Sequence, residues 1–113
     1  MNRVIQFFDW GEIGYKAAWD KQDELLQNIV ATKMKNRKLP KEEQALTDNF
    51  LIFCSHPHVY TLGKTGAMSN LLLTETLLEE LGIEFYHTNR GGDITYHGPG
   101  QVVGYPIIDL ENF

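Results

Sequence analysis

An α+β domain, with helices set against a mixed or antiparallel sheet, is the fold class that three features of this 113-residue sequence predict. Short β-branched and aromatic runs recur along the chain. One long segment changes to apolar spacings of three and four. The late apolar runs are joined by turns much shorter than the roughly dozen residues a parallel crossover needs.

The first run, Val4 to Phe8, is bounded by Asp9 and Gly11 and predicts a strand. From about Ile13 the period changes. Tyr15, Ala18, Trp19, Leu26, Ile29, Val30 and Met34 then mark the apolar face of an amphipathic helix ending near Lys35. Lys33, Lys35, Arg37 and Lys38 lie near its end, where cations suit the helix dipole. Residues 36–49 are polar and charged, contain Pro40 and predict a solvated surface loop.

Phe50 to Cys54 predicts a buried strand, and Val59 to Leu62 another after the His56-Pro57-His58 turn. Thr74 predicts the cap of a short helix with Leu77, Leu78 and Leu81 on its inner face, stopped by Gly82. Ile83 to Tyr86, Ile94 to Tyr96 and Val102 to Ile108 predict the remaining strands. Their short connections favour antiparallel pairing. An open sheet ending at the last of them leaves an edge that invites dimerisation or aggregation.

Composition excludes several classes. A net charge of −5 argues against a general nucleic-acid role, which needs clustered Lys and Arg. The single cysteine, Cys54, rules out an internal disulfide and fits a reducing compartment. No stretch approaches the roughly 20 apolar residues of a membrane helix, and MNRVIQFFDW has no secretory pattern. A cytoplasmic protein is expected. Neither a dinucleotide fingerprint nor a P-loop occurs, and no cofactor is expected.

The chemistry concentrates between Arg90 and Gln101. Gly91-Gly92 and Gly98-Pro99-Gly100 are turns that bring backbone N–H groups close to a ligand. On the extended segment between them, Asp93, Thr95 and His97 share one face, and Ile94 and Tyr96 the other, apolar one. This is a cradle that grips through backbone as well as side chains. A wet glycine-rich hairpin is the plain alternative. Tyr96, Tyr105, Trp10 and Trp19 suit a core better than a ligand platform.

Arg90-Gly91-Gly92, then Thr95-Tyr96-His97, Gly100-Gln101 and Tyr105, fill every fixed position of the pattern R-G-G-x-x-T-aromatic-H-x-x-G-Q-x-x-x-Y. That pattern is the signature of lipoyl(octanoyl) transferases, which this sequence resembles. His56-Pro57-His58-Val59-Tyr60-Thr61-Leu62-Gly63 is similar to a second segment of the same family. The resemblance covers most of the chain, with 36–49 looking like a longer insertion than usual.

The resemblance implies the fold of the biotin and lipoate protein ligases, with residues 1–113 as the N-terminal part of a single catalytic domain. It implies transfer of an octanoyl group from acyl carrier protein to a lysine of a lipoyl domain, through a cysteine thioester activated by a nearby lysine. Acceptors would be the lipoyl domains of 2-oxoacid dehydrogenase complexes and the glycine cleavage H protein. Arg90, Gly91, Gly92, Asp93, Ile94, Thr95, Tyr96 and His97 would line the acyl pocket, supported by His56, Gly98, Gly100 and Gln101.

The family's nucleophilic cysteine and its lysine are expected beyond Phe113, so the 113-residue chain is expected to be inactive alone. Cys54 ends an apolar strand and is expected to be structural. A lipoate or biotin ligase is the enzymatic alternative. However, such ligases carry an Arg-Arg pair before three glycines, and here Asn89 precedes Arg90 and only two follow. A non-catalytic acyl or carrier-protein binding module is a further alternative. Its basic residues, Arg3, Lys16, Lys64 and Arg90, are scattered. A metal held by His56 and His58 would need His87, His97 or Cys54, and no tight spacing joins them.

Overall fold

The computed structural model describes residues 1–64, 66 and 74–113. It forms two compact units: residues 1–11, 16–54 and 102–113 make the first, and residues 12–15 and 55–101 the second. The strands are β1 (Gln6–Glu12), β2 (Phe50–Ser55), β3 (Val59–Leu62), β4 (Glu84–His87), β5 (Ile94–His97) and β6 (Val103–Ile107). The helices are α1 (Tyr15–Asn36) and α2 (Glu75–Glu80).

The first unit holds the sheet β1-β2-β6, with β2 central. β2 runs antiparallel to β6 in a register that sets Ile52 against Tyr105 and Phe50 against Ile107. Alternation along β2 buries Phe50, Ile52 and Cys54. Ile29 of α1 joins Phe50, Ile52 and Ile107 in one core cluster, with Trp10, Leu25 and Tyr105 packed against it. The expectation of core roles holds for Trp10 and Tyr105.

The α1 seam differs from the predicted face. Ala18 and Ile29 are buried, but Leu26, Val30 and Met34 are exposed. A four-residue step advances about 40° beyond a full turn, so the series 26-30-34 drifts away from the sheet. Leu25 takes the inner place that the sequence reading gave to Leu26. β1 also begins later than predicted. Its pairing starts where Gln6 N donates to Asn49 O at 2.8 Å, leaving Val4 and Ile5 exposed.

The loop is not simply solvated. A 3-10 turn covers Lys41–Glu43, and its far end enters a buried polar network. Thr47 and Asn49 are buried, as are Asp109 and Asn112. Thr47 Oγ1 donates to Asp109 Oδ2 at 2.6 Å, and Asn112 Nδ2 donates to Thr47 Oγ1 at 3.0 Å. Asn49 Nδ2 donates to the carbonyls of Asn2 and Val4 at 2.9 and 3.1 Å, while Asn49 Oδ1 accepts from Asp109 N at 3.1 Å. Short polar side chains here satisfy backbone groups that no strand pairs.

The second unit holds the sheet β4-β3-β5. The late strands do not pair with one another as predicted. β4 is parallel to β3, and β5 is antiparallel to it. The connection from β3 to β4 includes α2 and meets the length a parallel crossover requires. Thr74 caps α2, its hydroxyl accepting from Leu77 N. Gly82, at φ 69°, ends that segment. Of the three predicted inner leucines only Leu78 is buried: Leu77 lies about 100° round the helix from it, and Leu81 lies past the end of α2.

Candidate acyl-binding site

β3 is the spine of the site. Its register with β4 and β5 places Val59, Thr61, Glu84, Tyr86, Thr95 and His97 on one face. Thr95 and His97 therefore share a face, as predicted. The other face carries Tyr60, Leu62, Phe85, His87, Ile94 and Tyr96. Tyr96 is 41% exposed, so the expected apolar, core-like role fails for it. Its hydroxyl is bonded to His58 Nδ1, and its ring meets Tyr60 at 5.2 Å. Gly98 makes this possible, since a Cβ there would lie 2.2 Å from the Tyr96 hydroxyl.

The Gly91-Gly92 turn wraps the end of β3. Gly63 N donates to Asp93 O at 2.9 Å, and Lys64 N donates to Arg90 O at 3.0 Å. Gly92 adopts φ 90°, a conformation that favours glycine. Gly63 is equally constrained: a Cβ there would lie 2.2 Å from Gly92 O. The glycines of the two motif segments are thus fitted to each other.

Arg90 fixes this arrangement. Its Nη2 donates to Thr61 O, Thr61 Oγ1 and Asp93 O at 2.8, 2.9 and 2.8 Å. Its Nη1 donates to Gly91 O at 2.8 Å. The guanidinium thus bridges a buried β3 threonine and both sides of the turn. The family resemblance implied a place for Arg90 in the pocket wall, and the structure shows its donors engaged by the protein itself.

Four rings gather on the Thr61 face. Tyr15 lies 5.4 Å from both His56 and Tyr86 and 6.5 Å from His97, and His56 lies 5.9 Å from His97. His56 is fully buried, and its Nδ1 donates to Ile13 O at 2.7 Å. Burial pushes the Tyr15 phenol up, with the Arg90 charge pulling it the other way. The histidines of the two sequence segments, apart by 41 positions, are thereby brought together. Sequence reasoning missed Tyr15 and Tyr86, because nothing in their spacing ties them to the glycine segment.

Other candidates fall away from this cluster. Cys54 is buried in the first unit, and burial first, then the Asp9 charge, pushes its thiol up. That is the opposite of thiolate activation. Among the described residues no three His, Cys, Asp or Glu side chains gather as metal ligands. No described helix is long and apolar enough to cross a membrane. A hollow of about 410 Å³ lies in the first unit beside Lys33, Thr47 and Asp109, and no signature residue lines it.

The site defines an α+β protein that presents a backbone-wrapped, histidine-bearing cradle on a mixed sheet. Residues 15–113 match the family model of the lipoyl protein ligase A/B catalytic domain, and the chain belongs to that family. It is 58% identical over 113 residues to an octanoyltransferase of Flavobacterium psychrophilum, covering all of this chain and 48% of that protein. It is 53% identical over 112 residues to an octanoyltransferase of Cytophaga hutchinsonii, covering 99% of this chain and 46% of that protein. The chain thus spans about half the length of these curated relatives. A crystal structure of P. falciparum LipL1 in complex with lipoate superposes with a TM-score of 0.60 at 14% identity, over 89% of this chain and 29% of that one. That likeness establishes the ligase-type fold.

Proposed function

We propose that this chain forms the acyl-binding part of an octanoyltransferase. The enzyme moves an octanoyl group from acyl carrier protein to a lysine of a lipoyl domain in the cytoplasm. One observation carries the reading: Arg90 folds the Gly91-Gly92 turn of the signature against β3, with Thr95 and His97 on one face and His97 beside His56. Backbone groups of Gly91 and Gly92 and the side chains of Thr95 and His97, which share a face, then meet the acyl chain and its carbonyl. The relatives named octanoyltransferase, at 46–59% identity, favour transfer over ATP-dependent ligation. Acceptors on this reading are the lipoyl domains of 2-oxoacid dehydrogenase complexes and the glycine cleavage H protein.

Transfer through a thioester needs an exposed, activated thiolate. Cys54 is 4% exposed and its thiol is pushed up, so it does not fill that role. On this reading residues 1–113 supply the cradle, and a cysteine elsewhere supplies the nucleophile. A chimera carrying residues 1–113 in place of the matching half of a curated relative tests both points. It is expected to move octanoyl from loaded carrier protein to a lipoyl domain without ATP, and Cys54→Ala is expected to leave turnover unchanged. Transfer only from free octanoate with ATP would support the ligase instead. Loss of turnover in a folded Cys54→Ala chimera would overturn the assignment of Cys54.

A further inference from the structure

Gly98 to Gln101 form a closed turn, in which Gln101 N donates to Gly98 O at 3.1 Å. Gly100 makes it possible by adopting φ 83°. The turn folds Gln101 back over the end of β5, where its Oε1 lies 2.8 Å from His97 Nδ1. An amide oxygen only accepts, so His97 Nδ1 is the donor in this pair. A neutral imidazole holds one N–H, and the other nitrogen then carries the lone pair.

We propose that Gln101 is a positioning residue that holds His97 in its Nδ1–H tautomer. His97 then offers the Nε2 lone pair to an N–H, O–H or S–H donor of a reacting group. Among the described residues, His97 Nε2 has no hydrogen-bond partner. Its half-buried ring is stacked on Tyr15 at 13° and set edge-on to His56 at 63°. His56 has the same polarity, its Nδ1–H being directed to Ile13 O. Both motif histidines are thus locked with Nδ1 as donor, against the preference of free imidazole for Nε2–H. The use made of Nε2 rests on the acyl-transfer reading, whereas the tautomer does not.

Histidine ¹⁵N spectra of the 113-residue chain test this at alkaline pH, where imidazoles are neutral. In the native chain, His97 Nε2 is expected at the downfield, unprotonated position and Nδ1 at the protonated one. Gln101→Leu is expected to exchange the two assignments, and Gln101→Glu, which keeps an acceptor oxygen, to preserve the native pattern. Unchanged His56 signals report that the fold survives each substitution. A native His97 carrying its proton on Nε2 would overturn the proposal, even if the leucine variant failed to fold. So would a folded Gln101→Leu chain with unaltered His97 signals. Either result leaves the transfer assay untouched, and a failed transfer assay leaves the tautomer standing.

Discussion

Arg90 donates to carbonyls on β3 and on both sides of its own turn, so its charge acts as a clamp. Lysine keeps the charge but offers a point of donors where arginine offers a planar fork. Arg90→Lys is therefore expected to loosen the turn. Hydrogen exchange should show weakened protection at Gly63 N and Lys64 N, by about 1.5–3 kcal/mol for the loss of charged hydrogen bonds. Unchanged protection would show that the glycines alone hold the turn. The position of Arg90 was legible in the sequence, but its task was not. A motif records that a residue type is required, and only the fold shows which acceptors surround it. Cys54 was legible in both respects, because an apolar strand with period-two burial already implies an inert thiol.

At the scale of elements, β3 and its turn were readable because glycine and proline constrain backbone directly. The pairing of β4 and β5 was not readable, because both lie on β3 and local turn length says nothing about a shared partner. The end of the 36–49 loop escaped notice for a related reason. Thr47, Asn49 and Asn112 are polar in sequence and buried in space, and burial follows from partners far along the chain. Asp109 anchors that network, accepting from Lys33 Nζ at 2.7 Å and from Thr47, and these bonds hold its carboxyl below its ordinary value of 3.8. A lowered folded value means the stabilisation is complete above pH 3.8 and is lost as pH falls through the folded value. The raised Lys33 amine works in the opposite sense: its contribution is present below 10.5 and is lost as pH rises through its folded value. Asp109→Asn is expected to cost about 1.5–3 kcal/mol in urea unfolding at pH 7. That difference should shrink in acid as the native carboxyl protonates. A pH-independent difference would assign the loss to shape instead of charge.

At the scale of the whole molecule, the first sheet leaves both β1 and β6 as edges among the described residues. Phe7 and Phe53 meet edge to face at 5.2 Å yet remain 57% and 39% exposed. Pro106 removes one donor from β6, which blunts that edge only locally. The isolated chain is therefore expected to self-associate, and a stable monomer in light scattering across rising concentration would contradict this. The α+β class and the ligase-type fold were legible because two long motifs fix the family. The division into two three-stranded sheets was not legible, since the sequence shows strands without their partners.

On the proposed function, the segment from Arg90 to His97, folded on β3, meets the acyl group. This is tested most directly by photolabelling. Carrier protein loaded with an octanoyl analogue bearing a diazirine near the chain end is incubated with the chimera, irradiated and mapped by mass spectrometry. The principal label within this chain is expected in the peptide spanning Arg90 to Gln101, and excess unlabelled octanoyl carrier should abolish it. Competable labelling confined to the first unit, as at the hollow beside Lys33 and Thr47, would contradict the account.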